Sequence, residues 1–202
     1  LLHITEWADL ESLQNQVRTF AQRPDLSGVI VQMPLPGNLK AEELLNCVPF
    51  EKDVDGLLPN SKFIPATARG VIYALKSTKQ LLVGKHAVIL GRSKLVGRPL
   101  VDLLLQENCT VTIAHSYTSN LPAITKQADI LISAVGKAGL INGDMVKEGV
   151  IAIDVGINRT DKKIVGDMVF DELTEKASFI TPVPGGIGPL TIAFLMANVV
   201  GQ

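Results

Sequence analysis

From residue 86 onward the chain alternates short apolar runs with longer stretches whose apolar residues recur every three or four positions. His86–Leu90, Thr110–Ala114, Asp129–Ala134 and Val150–Val155 are the short runs. Runs of that length, rich in β-branched residues, suit strands buried on both faces of a parallel sheet. Pro99–Glu107, Leu121–Gln127 and Val169–Lys176 carry the helical period, and Pro99 is tolerated in a first turn. Gly143–Lys147 reads as a short helical turn, Ser178–Thr181 as a last short strand, and an apolar helix follows Pro189. Strands alternating with helices predict βαβ units and a parallel sheet.

The first eighty residues are less regular. Leu10, Leu13, Val17 and Phe20 share one helical face, with Thr5 as the expected N-cap and an end near Ala21. Gly28–Met33 reads as a buried strand stopped by Pro34 and Pro36, Ala41–Val48 as a short helix, and Ala68–Ser77 as another. A border near Leu81–Lys85 divides a first lobe (1–80), completed by the C-terminal helix (187–202), from a nucleotide-binding unit (81–186). The expected fold is α/β: a Rossmann-like parallel-sheet domain plus a partial α/β lobe, with a cleft between them.

Composition narrows the function. Of 202 residues 47% are hydrophobic and 19% charged, enough for a buried core. The net charge is −1 and no polybasic run occurs, so nucleic acid and anionic membranes have no electrostatic footprint. No apolar run is long enough to span a bilayer. Cys47 and Cys109 lack CxxC neighbours and read as reduced core thiols, with no metal site expected. No signal-peptide pattern opens the chain; the expected location is the cytoplasm. The start at Leu1-Leu-His-Ile suggests an internal beginning.

The loop from Gly91 to Pro99 joins an expected strand to an expected helix. Unpaired N–H groups at a helix start suit a phosphate, and Gly91 and Gly97 allow close backbone approach. The spacing is not G-x-G-x-x-G, so an ordinary βα turn is the competing reading. NAD sites place a carboxylate about 20 residues past the first glycine, yet none occurs between Val111 and Lys126. Arg92 and Ser116 instead offer the charge and donors that a 2′-phosphate needs, which favours NADP. Arg98 either assists or is a solvated helix-start residue, and His115 reads as a strand-end residue packed against the loop. Gly136 and Gly156-Ile157-Asn158 follow further strands, where ligands of open α/β sheets bind. The backbone of Val135, Gly136 and Ile157 is placed to bracket a cofactor, although Gly156 equally suits a plain turn. Gln32, within an otherwise apolar run, needs a partner if buried. Lys52 reads as a solvated surface lysine.

Val31-Gln-Met-Pro-Leu-Pro36, Lys52-Asp-Val-Asp-Gly56, Gly91-Arg-Ser-Lys-Leu-Val-Gly-Arg-Pro99 and Pro182-Val-Pro-Gly-Gly-Ile-Gly-Pro-Leu-Thr191 occur in this order. Together they resemble the methylenetetrahydrofolate dehydrogenase/cyclohydrolase family, bifunctional enzymes of one-carbon metabolism that supply purine biosynthesis. The resemblance runs from about Thr5 to the C-terminus. It implies NADP-dependent oxidation of 5,10-methylenetetrahydrofolate and hydrolysis of the methenyl product to 10-formyltetrahydrofolate. It implies a homodimer and tetrahydrofolate derivatives as ligands. It assigns Gln32 to the substrate and the catalytic lysine, and Asp55 to the pterin edge. A carboxylate can accept two hydrogen bonds there. Asp53 is then structural, although the two aspartates share a side if the segment is extended. The family signature places the loop of Pro184, Gly185 and Gly186 between folate and nicotinamide. Gly91, Arg92, Ser93, Gly97, Ser116, Gly136 and Ile157 are the residues expected to hold the cofactor, and the resemblance adds Thr67. Thr67 stands where the family often reads Cys-Thr-Pro, and Ala66 and Ala68 flank it here.

Two departures stand out. The family's proton-transferring lysine belongs to an upstream Tyr-x-x-x-Lys motif; Tyr73 and Tyr117 are followed four residues on by Ser77 and Leu121. The connection Leu58–Ile64 is shorter than the family's. The alternatives are therefore a dehydrogenase without cyclohydrolase activity and a catalytically silent folate- or nucleotide-binding domain. A different Rossmann dehydrogenase leaves the Val31–Pro36 and Pro182–Thr191 motifs unexplained.

Overall fold

Five apolar runs assemble into one parallel sheet in the computed structural model, which describes residues 1–3, 9–33, 35, 39–160 and 163–201. The strands are β1 (His86–Leu90), β2 (Thr110–Ala114), β3 (Ile130–Ser133), β4 (Ile151–Asp154) and β7 (Phe179–Ile180), in the order β2-β1-β3-β4-β7. Two further strands, β5 (Asn158–Arg159) and β6 (Ile164–Val165), form a separate antiparallel pair that the sequence pattern did not announce. The helices are α1 (Leu10–Ala21), α2 (Ala41–Leu45), α3 (Ala66–Ser77), α4 (Gly97–Gln106), α5 (Leu121–Thr125), α6 (Phe170–Thr174) and α7 (Ile187–Val199). The fold is α/β, as expected.

Alternation along β1, β3 and β4, buried on both faces, explains why their central positions are apolar in unbroken runs. Ala87, Ile89, Ile130, Ile132, Ile151 and Ile153 face one way, into a core shared with α3 and α4. Val88, Leu90, Leu131 and Ala152 face the other way and join Ile141 and Leu173. All ten side chains are essentially inaccessible. Each such Leu or Ile contributes about 1.5–3 kcal/mol by leaving water.

Two compact units result, Leu1–Ile64 with Leu195–Gln202 and Pro65–Phe194. The division falls at Ile64/Pro65, where the sequence alone put a border near Leu81–Lys85. The reason is α3: Ala68, Val71, Ala74 and Leu75 lie in the sheet's core. Within the sheet unit α3 also approaches α7, and a Cβ on Gly70 would stand 3.1 Å from that of Leu190.

In the other unit Leu13, Val17 and Ala21 pack α1 against Val29, Leu44, Cys47 and Val48. The N-cap of α1 is Asp9, whose Oδ1 accepts the Ser12 N–H at 2.9 Å; Thr5 lies outside the described residues. The strand expected over Gly28–Met33 is not formed. Val29 makes one isolated parallel bridge with Asp53, and no other described residue of the run pairs. A β-branched run becomes a strand only where a neighbour completes its ladder. Pro34 and Pro36 lie outside the described residues. Buried Asn198, in the last turn of α7, donates to the carbonyls of Val54 and Ile64 at 2.9 and 3.3 Å. Among the described residues no helix is long and apolar enough to cross a membrane, and no cluster of potential metal ligands occurs.

Candidate functional site

In the sheet unit, strand order reverses between β1 and β3, the position at which open α/β sheets bind ligands beyond their carboxyl ends. Gly91 leaves β1 with φ +106°, and its N–H donates to the Ala114 carbonyl at 2.9 Å. A Cβ there would stand 2.6 Å from the Ala134 oxygen. The loop then folds back on itself. A Cβ on Gly97 would overlap the Gly91 carbonyl oxygen and stand 2.7 Å from its carbon. Both glycines are therefore demanded by backbone packing. Ser93 stitches the turn: its Oγ accepts the Val96 N–H at 3.2 Å and its carbonyl accepts the Arg98 N–H at 3.0 Å. The ten-residue helix α4 starts at once, so its positive dipole end faces the loop; of its first N–H groups, that of Arg98 goes to Ser93 and that of Leu100 to Val96, and Pro99 has none.

Arg92 and Ser116 are both exposed. The Arg92 guanidinium lies over the Tyr117 ring, 5.8 Å from its centroid, and Tyr117 meets the His115 ring edge-on. His115 is engaged locally, its Nδ1 accepting the Tyr117 N–H at 3.2 Å. That agrees with its reading as a packed strand-end residue. Beside them lies a cavity of about 390 Å3 whose lining includes Leu90, Ala114, His115, Ser116, Val135 and Lys137. Its apolar floor, the hydroxyls of Ser116 and Thr118, a lysine and the lack of a carboxylate among its described lining residues suit an adenosine moiety bearing an anionic substituent. These residues fit NADP: a backbone-lined turn for phosphate, and Arg92 with Ser116 for a 2′-phosphate.

The next loop differs from expectation. Gly136 has φ +65°, but its N–H points inward, to buried Asp167. Ile157 is 63% exposed, whereas Gly156 is buried, with no space for a side chain beside Asp167; it is more than a plain turn glycine. Asp154 and Asp167, both buried, escaped the sequence reading. Asp154 accepts the N–H groups of Gly156, Asp167 and Met168 at 2.9, 3.0 and 2.8 Å. Burial still pushes its carboxyl above the ordinary aspartate range. The only clue in the sequence was a carboxylate closing each segment beside a glycine, Asp154-Val-Gly156 and Gly166-Asp167. Lys137 was likewise missed. In the same unit the Pro182–Thr191 segment bends sharply, with Gly185 at φ +106°. A Cβ on Gly186 would stand 2.5 Å from the Pro182 oxygen. Pro184 and Gly185 are exposed. Thr191 Oγ1, near the start of α7, donates to Thr67 Oγ1 at 3.2 Å, so Thr67 is held in the first turn of α3.

In the other unit, Gln32 is exposed rather than buried in a strand, and its amide donates to the Met33 carbonyl at 2.9 Å. Asp53 is buried and accepts the N–H groups of Leu57 and Leu58 at 3.2 and 2.9 Å, the structural role expected of it. The segment is a turn, not an extended strand, so the two aspartates do not alternate as a strand would place them. Asp55 is half-buried and makes no hydrogen bond among the described residues. Burial, and next the Asp53 charge, raise its carboxyl above the ordinary aspartate value. A carboxylate so placed is free to accept from a ligand. Lys52 is not a free surface lysine: its Nζ donates to the carbonyls of Ala21 and Arg23 at 2.8 and 2.6 Å, capping the end of α1.

Comparison with known proteins agrees. Residues 65–202 match the tetrahydrofolate dehydrogenase/cyclohydrolase NAD(P)-binding domain, and residues 1–55 match the catalytic domain. The bifunctional protein FolD of Lactobacillus acidophilus is 50% identical over 195 residues, covering 92% of this chain and 69% of that protein. That of Lysinibacillus sphaericus is 47% identical, covering 99% and 74%. The structure of the bifunctional FolD enzyme from Campylobacter jejuni has TM-score 0.88 at 43% identity, covering 96% of this chain and 72% of that one. The Trypanosoma brucei FolD structure, complexed with NADP cofactor and inhibitor, has TM-score 0.88 at 34% identity, with coverages of 96% and 72%. The chain belongs to the tetrahydrofolate dehydrogenase/cyclohydrolase family.

Proposed function

We propose that this chain oxidises 5,10-methylenetetrahydrofolate with NADP+ and serves the hydrolysis of the methenyl product to 10-formyltetrahydrofolate. The observation that carries the reading is the interlocked Gly91–Gly97 turn, with Arg92 and Ser116 beside it and no lining carboxylate. Bound NADP+ supplies a hydride acceptor. The protein's own contribution is orientation, which alone can remove several kcal/mol of a barrier. The main-chain N–H groups of Arg92, Ser93 and Gly97 hold phosphate oxygens in the turn that Gly91 opens, at the positive end of α4. Arg92 and Ser116 bind the 2′-phosphate. Ser93 fixes the turn, and Gly136, Ile157 and Thr67 border the cofactor. Asp55 accepts hydrogen bonds from the pterin edge, Gln32 contacts the folate, and Pro184, Gly185 and Gly186 shape its surroundings.

Hydrolysis needs a group that moves protons. The resemblance assigns this to a lysine in Tyr-x-x-x-Lys, a motif that the 202 residues do not contain. That observation favours a second reading of this chain by itself, a dehydrogenase that leaves the methenyl compound unhydrolysed. Two free, buried cysteines are in keeping with a reducing cytoplasm, and the resemblance adds a homodimer. The test is reduction of NADP+ and of NAD+ with methylenetetrahydrofolate, followed by the absorbance of the methenyl product. Faster reduction of NADP+ supports the reading, a preference for NAD+ overturns the roles of Arg92 and Ser116, and accumulating methenyl product selects the second reading.

A further inference from the structure

We propose that Asp167 is a positioning residue for cofactor binding: its carboxylate fixes the main chain of Val135, Gly136 and Lys137 so that this loop forms one wall of the nucleotide cavity. The inference rests on the NADP reading above. Asp167 is fully buried. Its Oδ2 accepts Ser133 Oγ–H at 2.9 Å, the Val135 N–H at 2.9 Å and the Gly136 N–H at 3.2 Å. Its Oδ1 accepts the Lys137 N–H at 2.8 Å and Asn158 Nδ2–H at 3.0 Å. Three consecutive main-chain donors thus wrap one carboxylate, as backbone nests wrap bound anions. With those amides turned inward, Val135 and Lys137 are left to line the cavity together with His115 and Ser116.

A second carboxylate sets the first. Asp154 Oδ1 accepts the Asp167 N–H at 3.0 Å, and its Oδ2 accepts the Met168 N–H at 2.8 Å. The glycines are reciprocal. A Cβ on Gly156 would stand 2.6 Å from Asp167 Oδ2, and one on Gly166 would stand 2.6 Å from Asp154 Cγ. The two carboxylates therefore tie together the ends of β3 and β4 and the segment carrying Ile157. A neutral amide cannot replace the Asp167 carboxylate. Its single oxygen accepts fewer of the five donors, and its NH2 group faces main-chain N–H groups with nothing to accept.

The test is Asp167→Asn in this chain, with NADPH binding followed by nucleotide fluorescence. We expect the dissociation constant to rise about tenfold, the factor that follows when only about one loop in ten keeps the binding arrangement. Exchange of the Val135, Gly136 and Lys137 amide hydrogens should accelerate while the melt stays cooperative. In turnover, KM for NADP+ should rise while KM for methylenetetrahydrofolate stays within about twofold, a split that general loss of folded protein would not produce. A folded variant that binds NADPH as wild type does overturns the proposal. If Asp167→Asn does not fold, Ser133→Ala removes one donor to the same oxygen. Threefold weaker binding would then support the proposal, and unchanged binding would overturn it. A wild-type chain that binds no NADPH overturns the cofactor reading and this inference with it; wild-type binding that survives the substitutions sinks the inference alone.

Discussion

Gly97→Ala tests the nucleotide turn by adding a single methyl group. That methyl would overlap the Gly91 carbonyl oxygen and lie 2.7 Å from the Gly91 carbon. Ordinary carbon contacts begin near 3.5 Å, so the turn must open by roughly 1 Å. Neither clashing atom belongs to a flexible side chain, so nothing can swing aside. Overpacking of this kind costs about 1–3 kcal/mol. At about 2–4 °C per kcal/mol for a chain of this size, the melting temperature should fall by about 2–12 °C. A main-chain donor displaced by roughly 1 Å leaves hydrogen-bond range of a phosphate oxygen. Losing one charge-assisted bond of about 1.5–3 kcal/mol weakens NADPH binding about 10- to 150-fold. Gly84→Ala is the control. Gly84 has φ +76°, lies outside the turn, and a Cβ on it would meet nothing within 4 Å. It should cost only the left-handed backbone penalty of about 1–2 kcal/mol and leave NADPH binding alone. Thermal melts and NADPH titrations on the three proteins decide. Wild-type affinity in Gly97→Ala, or equal weakening in Gly84→Ala, would refute the steric argument.

Further outcomes follow from the same geometry. Arg92→Ala should raise KM for NADP+ about tenfold or more and leave KM for NAD+ within about twofold, since only the 2′-phosphate loses its charged partner; parallel loss with both cofactors would remove Arg92 from that role. Lys52→Met should lower stability by about 1–3 kcal/mol through loss of the α1 cap without changing NADPH affinity, which melting and titration together can check. Asp55→Asn should abolish folate binding by calorimetry while stabilising the fold at neutral pH. The sign follows from the raised carboxyl. The folded state holds its proton to higher pH than the unfolded state does, so wild-type stability falls as pH climbs from the ordinary aspartate value through the raised one. The variant's advantage should therefore shrink as the pH is lowered, and an advantage independent of pH would contradict the assignment.

How much was legible in the sequence depended on the range of the interactions. β1 and β2 occupy the residues expected of them: β1 because Ala87–Leu90, buried on both faces, are apolar in an unbroken run, and the edge strand β2 because its β-branched residues favour extended backbone. Gly91 and Gly97 were legible as a close-packed turn for the same local reason. Gly28–Met33 carried the same β-branched signal but has a bridging neighbour only at Val29; composition records the tendency and not the partner. Gln32 was misread with it, as buried where it is exposed. Lys52 looked solvated because its acceptors, Ala21 and Arg23, lie about thirty residues back along the chain. Asp167 was invisible for the same reason, since its donors at 133–137 are brought to it only when β3 and β4 are side by side. The four motifs named the family, but the residues that hold the 135–137 main chain in place lie outside them.

Holding that loop by its peptide groups leaves its side chains open to redesign. Val135 and Lys137 reach Asp167 only through main-chain N–H, so the charge and size of either can be changed without touching the anchor. Proline alone is barred at these positions, because it has no hydrogen to give. Gly136, at φ +65° with open space around it, accommodates asparagine more readily than a β-branched residue. A library aimed at altering cofactor choice can therefore vary 135 and 137 freely, provided 154, 156, 166 and 167 are inherited as a block.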